Sequence, residues 1–150
     1  MKRTVLLIFF LSLLSTSKAQ NLDFMGYPMG VSITNFTKEV RQRYSLEKRV
    51  GGDDYYIFKG PVDGHNVYLK ADYSHKSRMV YRITVTPKHI DLNAFVDSIT
   101  VHHGEPEEVE GGYKWQKPEG SVFLYTPAGY DTTLIFLDYE AAKVCLEEKK

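Results

Sequence analysis

Disulfide chemistry has almost no place in this chain, because its 150 residues include one cysteine, Cys145. A lone cysteine cannot form an intramolecular disulfide, so packing must stabilise the fold. Cys145 could still pair with a second chain. Its neighbours Val144 and Leu146 instead favour the role of a small, buried apolar residue.

Long hydrophobic runs are lacking too. The longest, over residues 5–14, is about half of the roughly 20 residues needed to span a bilayer, so no transmembrane anchor is predicted. Two basic residues precede this run and the small residues of Ser17-Lys18-Ala19 follow it, which predicts a signal peptide over residues 1–19. Cleavage would leave Gln20 first, with no cysteine there for lipid attachment. We therefore expect an exported protein, either periplasmic or extracellular.

An excess of positive charge is missing as well. The chain has 19 basic and 19 acidic residues, and residues 1–19 hold three of the basic ones and no acid. The mature chain would carry 16 against 19, about −3, which argues against nucleic acid as a partner. The sequence also lacks a phosphate-binding glycine loop, a dinucleotide fingerprint and a glycine-flanked serine. We predict no catalytic residue and no cofactor.

What the sequence does contain is a correspondence between two stretches 59 positions apart. Both have a proline, an apolar residue, a capping oxygen and apolar positions at helical spacing. The first stretch has Pro28, Val31, Ser32, Ile33, Phe36 and Val40, and the second has Pro87, Ile90, Asp91, Leu92, Phe95 and Ile99. They predict one helix from Ile33 to about Tyr44, and a second from Leu92 that stops at Gly104.

Alternating apolar and polar residues follow each predicted helix. They predict strands at 55–59, 67–71 and 79–85 in the first half, and at 113–115, 121–126 and 132–137 in the second. Residues 22–24 predict a short first strand, and Asp138 is placed to cap a last helix that carries Cys145. An apolar helix stripe needs a dry sheet face on which to be buried.

The predicted fold class is therefore α+β. We expect two tandem helix-plus-three-strand repeats that form one antiparallel sheet of six or seven strands, with the helices on one face. Residues 20–150 would be a single domain, made of repeats at about 22–86 and 87–138 plus a short C-terminal helix.

The tandem helix-plus-meander plan across roughly Pro28 to Asp138 resembles the β-lactamase-inhibitor-protein type of fold, which also pairs two helix-and-sheet repeats. The phrase Leu22-Asp23-Phe24-Met25-Gly26-Tyr27-Pro28-Met29-Gly30 resembles the openings of small exported proteins of unknown function in Bacteroides-type bacteria. This chain lacks the inhibitor family's disulfide cysteines and has one convincing helix per repeat where that family has two. Inhibition of a β-lactamase is therefore not implied, but the resemblance implies that such a sheet face can bind another protein.

Three polar patterns invite a chemical interpretation. His102-His103 offers metal-binding imidazoles, but adjacent helical residues point about 100° apart, which favours hydrogen bonds to the last helix carbonyls. Ser74 lies beside His75, but proximity alone does not predict a nucleophile. The glutamates around Pro106 lack the alternating ligands and glycine of a calcium loop. We therefore predict no metal site.

Aromatic residues on the predicted open sheet face are the best functional candidates. Tyr68, Phe123 and Tyr125 alternate with core positions, and we expect Trp115 beside them. Rigid aromatics with polar tips dominate binding hot spots, although cross-strand packing would also explain the tyrosines. We predict that these four residues bind a partner, a protein or another envelope macromolecule, and that the protein is a non-enzymatic binding module.

Two alternatives stay open. A small envelope enzyme or ligand carrier would use a cleft between the repeats, lined by convergent polar groups. A homodimer would instead pair two copies through the open sheet face.

Overall fold

The computed structural model describes residues 21–87, 92–126 and 131–150. The predicted signal peptide with Gln20, the Ile90–Asp91 helix entrance and a turn expected at 127–129 lie outside these residues. The helices are α1 (Ile33–Val40), α2 (Leu92–His103) and α3 (Tyr139–Glu148). A two-stranded sheet consists of β1 (Asp23–Phe24) and β2 (Tyr27–Pro28). The main sheet consists of β3 (Ser45–Val50), β4 (Tyr55–Val62), β5 (His65–Tyr73), β6 (Val80–Thr86), β7 (Glu107–Val109), β8 (Gly112–Gln116), β9 (Gly120–Tyr125) and β10 (Thr133–Asp138).

The main sheet is antiparallel throughout, with strand order β3-β4-β5-β6-β10-β9-β8-β7. The mixed α+β class and the large antiparallel sheet are confirmed. The sheet has eight strands rather than six or seven, because residues 45–50 and 107–109, where no strand was predicted, form the edge strands β3 and β7. α1 and α2 are each followed by four strands in a meander, and β6 pairs with β10 to join the two halves. The duplication itself stays a prediction.

One face of this sheet forms the core. Its cross-strand rows include Phe58, Leu69, Val85, Leu134 and Leu124, all nearly inaccessible to solvent. From α1, Phe36 packs against Phe58 with ring centroids 6.1 Å apart. From α2, His103 packs against Phe136, also on this face, at 5.9 Å. Both helices therefore cover the same face, which we call the core face.

The N-terminal segment fills the space beneath the two helices. Phe24 is fully buried and packs edge-on against Phe136 at 5.1 Å and against Tyr44 at 6.1 Å. Leu22 and Met29 are buried beside it. The segment predicted as a short strand thus pairs only with itself, as β1 and β2, and contributes its side chains to the core.

The helix ends predicted at Ser32, Gly104 and Asp138 are confirmed, whereas the predicted end of α1 near Tyr44 is wrong. Ser32 Oγ accepts a hydrogen bond from the Asn35 N–H at 3.2 Å, which begins α1. α1 ends at Val40 rather than near Tyr44, because Tyr44 turns inward and donates its hydroxyl hydrogen bond to the Pro61 carbonyl at 2.8 Å. Burial raises the pKa of Tyr44 to about 12. Gly104, with φ +83°, ends α2 as predicted.

α3 packs on the opposite face of the sheet. The Tyr139 hydroxyl accepts a hydrogen bond from Gln116 Nε2 at 2.7 Å, and Gln116 alternates with core-facing Trp115 along β8. In the second half of α3, Cys145 contacts Tyr81. Cys145 is buried, as the sequence indicated. The two long helices α1 and α2 therefore share one face, as expected, whereas α3 covers part of the opposite face, which was expected to be open.

We expect Asp138→Ala to destabilise the protein by about 2–4 kcal/mol. Asp138 is 1% exposed; its Oδ1 caps α3 by accepting the Ala141 N–H at 2.9 Å, and its Oδ2 accepts the Leu22 N–H at 3.0 Å. The substitution leaves both donors without this acceptor. Urea unfolding measures the loss. Asp97→Ala, at an exposed position of α2, is the control and should change stability by less than about 0.5 kcal/mol; equal losses would contradict the assignment.

Candidate functional site

The face of the sheet opposite the core presents three rows of side chains across the strands. The first row, partly covered by α3, contains Tyr55, Asp72, Arg82, Leu137, Ser121 and Gln116. The second row contains Lys48, Ile57, Lys70, Thr84, Ile135, Phe123, Lys114 and Glu107. The third row contains Ser45, Lys59, Tyr68, Thr86, Thr133 and Tyr125. We call the second and third rows the open face.

The predicted aromatic residues Tyr68, Phe123 and Tyr125 lie on the open face. Tyr68 is 52% exposed and Tyr125 is 38% exposed. Phe123 is half-buried and stacks on Tyr125 with ring centroids 5.7 Å apart and an interplanar angle of 18°. The Lys59 ammonium lies over the Tyr68 ring, 5.6 Å from its centroid. These contacts hold the aromatic rings in place before any partner arrives.

The aromatic side chains stand on either side of a shallow central region. Tyr68 is on β5 and Tyr125 is on β9, and β6 and β10 lie between them. Three strand spacings separate them by roughly 14 Å. The floor between consists of threonines and one isoleucine, Thr84, Thr86, Thr133 and Ile135. This width is comparable with the roughly 10–12 Å diameter of an α-helix with its side chains.

The open face is positively charged, although the whole chain has no formal net charge. Its lysines are Lys48, Lys59, Lys70 and Lys114. Among the described residues, two acids accompany them: Glu107 on edge strand β7, and Glu47 at the β3 bulge, whose Oε1 accepts a hydrogen bond from Ser45 Oγ at 2.7 Å. Asp72 in the first row is 3% exposed and pairs with Lys70 at 3.1 Å and with Arg82 at 3.0 Å. Its hydrogen bond raises the pKa of Arg82. Three of the four lysines therefore lie on this face away from the Asp72 carboxylate.

Trp115 does not belong to this surface, which corrects the sequence prediction. It pairs with Val122 on the core face and is 1% exposed. Its indole Nε1 donates to the Gly104 carbonyl at 2.8 Å, at the end of α2. A tryptophan N–H needs a partner when it is buried, and the carbonyl of the helix terminus provides one. Trp115 lies on the same face as Val122 because the two residues are cross-strand partners. This pairing depends on the strand register, which the sequence alone does not fix.

The Ser74–His75 pair serves the β5–β6 turn. Ser74 is fully buried, and its Oγ contacts Ser77 Oγ at 2.6 Å and accepts the Met79 N–H at 3.0 Å. The exposed His75 turns away and contacts Asp54 Oδ2 through Nδ1 at 2.8 Å. The two side chains thus have separate partners, and this arrangement does not present a serine activated by a histidine.

The histidines at the end of α2 occupy different environments. His102 is exposed, whereas His103 is 7% exposed and its two ring nitrogens have no hydrogen-bond partner within the described parts of the chain. The expected hydrogen bonds from His103 to helix carbonyls are therefore wrong, and Trp115 takes the Gly104 carbonyl instead. Within the described residues, no group of three metal-ligating side chains occurs.

Two grooves lie on the core-face side, each between a helix and the strands that follow it. The groove beside α1 has a volume of about 550 Å³, and the groove beside α2 has about 240 Å³. The alternative function would need a cleft between the two halves of the fold. In the described structure, Phe24 and its neighbours fill the space between α1, α2 and β10.

Comparison with known proteins gives no relative: no protein-family model, no curated protein and no solved structure matches this chain. Among the described residues, no helix combines the length and apolar character needed to cross a membrane.

We expect the stability of the protein to fall as the pH drops below about 6.5, the ordinary histidine value. Burial lowers the pKa of His103; Lys117 and His102 lower it further, while Asp23 and Glu119 oppose the shift. The unfolded chain therefore binds this proton at a higher pH than the folded one, and stability is lost as the pH falls from 6.5 through the folded-state pKa. For this one proton, the free energy of unfolding changes by at most about 1.4 kcal/mol per pH unit.

His103→Phe tests this expectation because it keeps an aromatic ring against Phe136 and removes the titrating group. Urea unfolding between pH 7.5 and about pH 5 should show a flatter profile for this variant than for the original protein. The exposed neighbour His102→Gln should leave the slope nearly unchanged. Identical slopes for His103→Phe and the original protein would exclude His103 as the cause.

Proposed function

We propose that this protein is an exported, non-enzymatic binding module whose open face contacts another protein. The observation that carries the proposal is the exposure of Tyr68 and the stacked Phe123–Tyr125 pair on a sheet face with four lysines. Tyrosine and other aromatics dominate interface energetics because each buries a large, rigid apolar area at low entropic cost. The proposal of export rests on the predicted signal peptide over residues 1–19.

The charge of the open face specifies the kind of partner. Lys48, Lys59 and Lys114 attract an acidic surface, and among the described residues the acids Glu47 and Glu107 oppose them from the two edge strands. Electrostatic complementarity of this sort accelerates association and fixes orientation. The partner that fits best is a protein segment with carboxylates flanking apolar side chains. A helix of that kind has the width of the space between Tyr68 and Tyr125.

The edges of the sheet fit this use of the face better than a strand-addition mechanism. β7 has three residues, and β3 has a bulge between Leu46 and Lys48 and exposed charged side chains. Short, bulged and charged edge strands discourage pairing with another strand. We therefore expect a partner to bind through the side chains of the open face rather than through backbone hydrogen bonds to an edge strand.

Alanine substitutions of Tyr68, Phe123 and Tyr125 test the proposal. Each should weaken partner capture from envelope fractions by at least about tenfold, since hot-spot aromatics contribute about 2 kcal/mol or more. Stability should fall by no more than about 1.5 kcal/mol, the upper value for an aromatic pair. Val101→Ala and Leu146→Ala are matched controls, because these residues are 83% and 65% exposed and lie on α2 and α3.

The captured protein must be acidic at the contact, and capture must weaken with rising salt and in a Lys59→Gln variant. A basic partner, or capture that survives all three alanine substitutions, would overturn the proposal. Light scattering on the purified protein addresses the alternative of a homodimer. A dimer that Tyr125→Ala converts to monomer would replace a foreign partner with a second copy of the chain.

A further inference from the structure

The groove beside α1 collects positive charge on the core-face side of the sheet, away from the open face. Its lining consists of Thr34, Thr37, Lys38, Arg41, Arg49 and Tyr56. From α1, Lys38 and Arg41 lie three positions apart and so share one side of the helix. Arg49 on β3 and Tyr56 on β4 are cross-strand partners and form the opposite wall. Three cationic side chains thus point to one space, and none of the described residues that line it is acidic.

The cations of this groove are exposed and form no salt bridge among the described residues. Within residues 21–87, 92–126 and 131–150, the salt bridges involve Lys70, Arg82 and His75, and none involves a groove residue. Three like charges that face one space repel each other, which costs free energy in the absence of an anion. An anionic ligand would relieve this repulsion, and the relief would contribute to the free energy of binding.

Tyr56 organises the cationic wall. The Arg49 guanidinium lies over its ring, 5.5 Å from the centroid. Its hydroxyl accepts a hydrogen bond from Arg78 Nη2 at 3.4 Å, which brings a fourth cation to the rim. The hydroxyl proton of Tyr56 is then free to be donated to a ligand. Thr37 cannot help in this way, because its hydroxyl already donates to the Ile33 carbonyl at 2.6 Å.

The groove beside α2 provides a contrast within the same molecule. It occupies the corresponding place between a helix and its outer strands. Among the residues that the structure describes, its one charged lining residue is Glu108, and its volume is about 240 Å³. The positive charge beside α1 is therefore a property of these particular residues and not a consequence of the architecture.

We propose that the α1 groove binds a small, soluble ligand with at least two phosphate groups. Arginine matches the oxygens of phosphate with two parallel hydrogen bonds, which makes Arg41 and Arg49 better suited to phosphate than to a point anion. The volume of about 550 Å³ lies in the range of small-molecule sites, and a single phosphate would leave most of it empty. This site is independent of the open face, and each proposal can fail without the other.

Calorimetric titration of the purified protein with inorganic pyrophosphate and tripolyphosphate tests the proposal. We expect 1:1 binding at low salt with Kd below about 1 mM, weaker binding at higher salt, and an increase in Tm on addition of pyrophosphate. Arg49→Gln and Arg41→Gln should each raise Kd at least about fivefold, because each loses charge-assisted hydrogen bonds.

Two neighbours provide matched controls for these variants. Lys48→Gln removes the same charge one residue away, but Lys48 pairs with Ile57 and points to the open face. Arg43→Gln removes an exposed charge just after α1. Both should change Kd by less than about twofold, since neither charge lines the groove and salt screens exposed charges outside it. Equal losses in Lys48→Gln and Arg49→Gln would show a diffuse charge effect and would overturn the proposal.

The ligand class and its source are tested separately. Citrate binding more tightly than pyrophosphate would overturn the assignment to phosphate. Co-sedimentation with phosphatidylglycerol vesicles, weakened by Arg49→Gln and not competed by pyrophosphate, would assign the groove to a lipid headgroup and would overturn the soluble ligand. Competition of pyrophosphate with tripolyphosphate at one site, with no vesicle binding, would support it.

Discussion

The pairing of β6 with β10 is the contact on which the rest of the structure depends. It joins two four-stranded meanders into a single sheet, so that Val85 and Leu134 become neighbours on one continuous dry face. Without this pairing, β6 and β10 would each present an unpaired edge at the centre of the molecule. With the joined sheet, α1, α2 and Phe24 share one core that needs no disulfide. Because the core face is buried, the surfaces left for binding are the opposite face of the sheet and the grooves beside the helices.

The two faces of the sheet carry different kinds of candidate site. On the open face, regular register produces rows in which lysines and aromatics alternate with threonines, and a broad, flat surface suits a macromolecule. On the core-face side, α1 ends early and leaves a groove between its outer side chains and the edge strands. A concave space suits a small ligand. The separation of the two surfaces by the thickness of the sheet means that both could be occupied at once.

Local chemistry explains which parts of the fold could be predicted from the sequence. Ser32, Gly104 and Asp138 mark helix ends because capping oxygens and a left-handed glycine act within a few residues. The strands with alternating burial were also predictable, since apolar and polar residues alternate along their sequence. The edge strands β3 and β7 were missed because exposed edge positions carry polar residues that look like a loop.

The sequence by itself determined the α+β class, the caps and the alternation that leaves Tyr68, Phe123 and Tyr125 off the core. Only the tertiary structure decided that Trp115 faces the core, that His103 is buried with no hydrogen-bond partner among the described residues, and that Arg49 meets α1 across a groove. The physical reason is the range of the interactions. Caps and alternation depend on neighbours in the chain, whereas strand register and the approach of a helix to an edge strand depend on residues far apart in sequence.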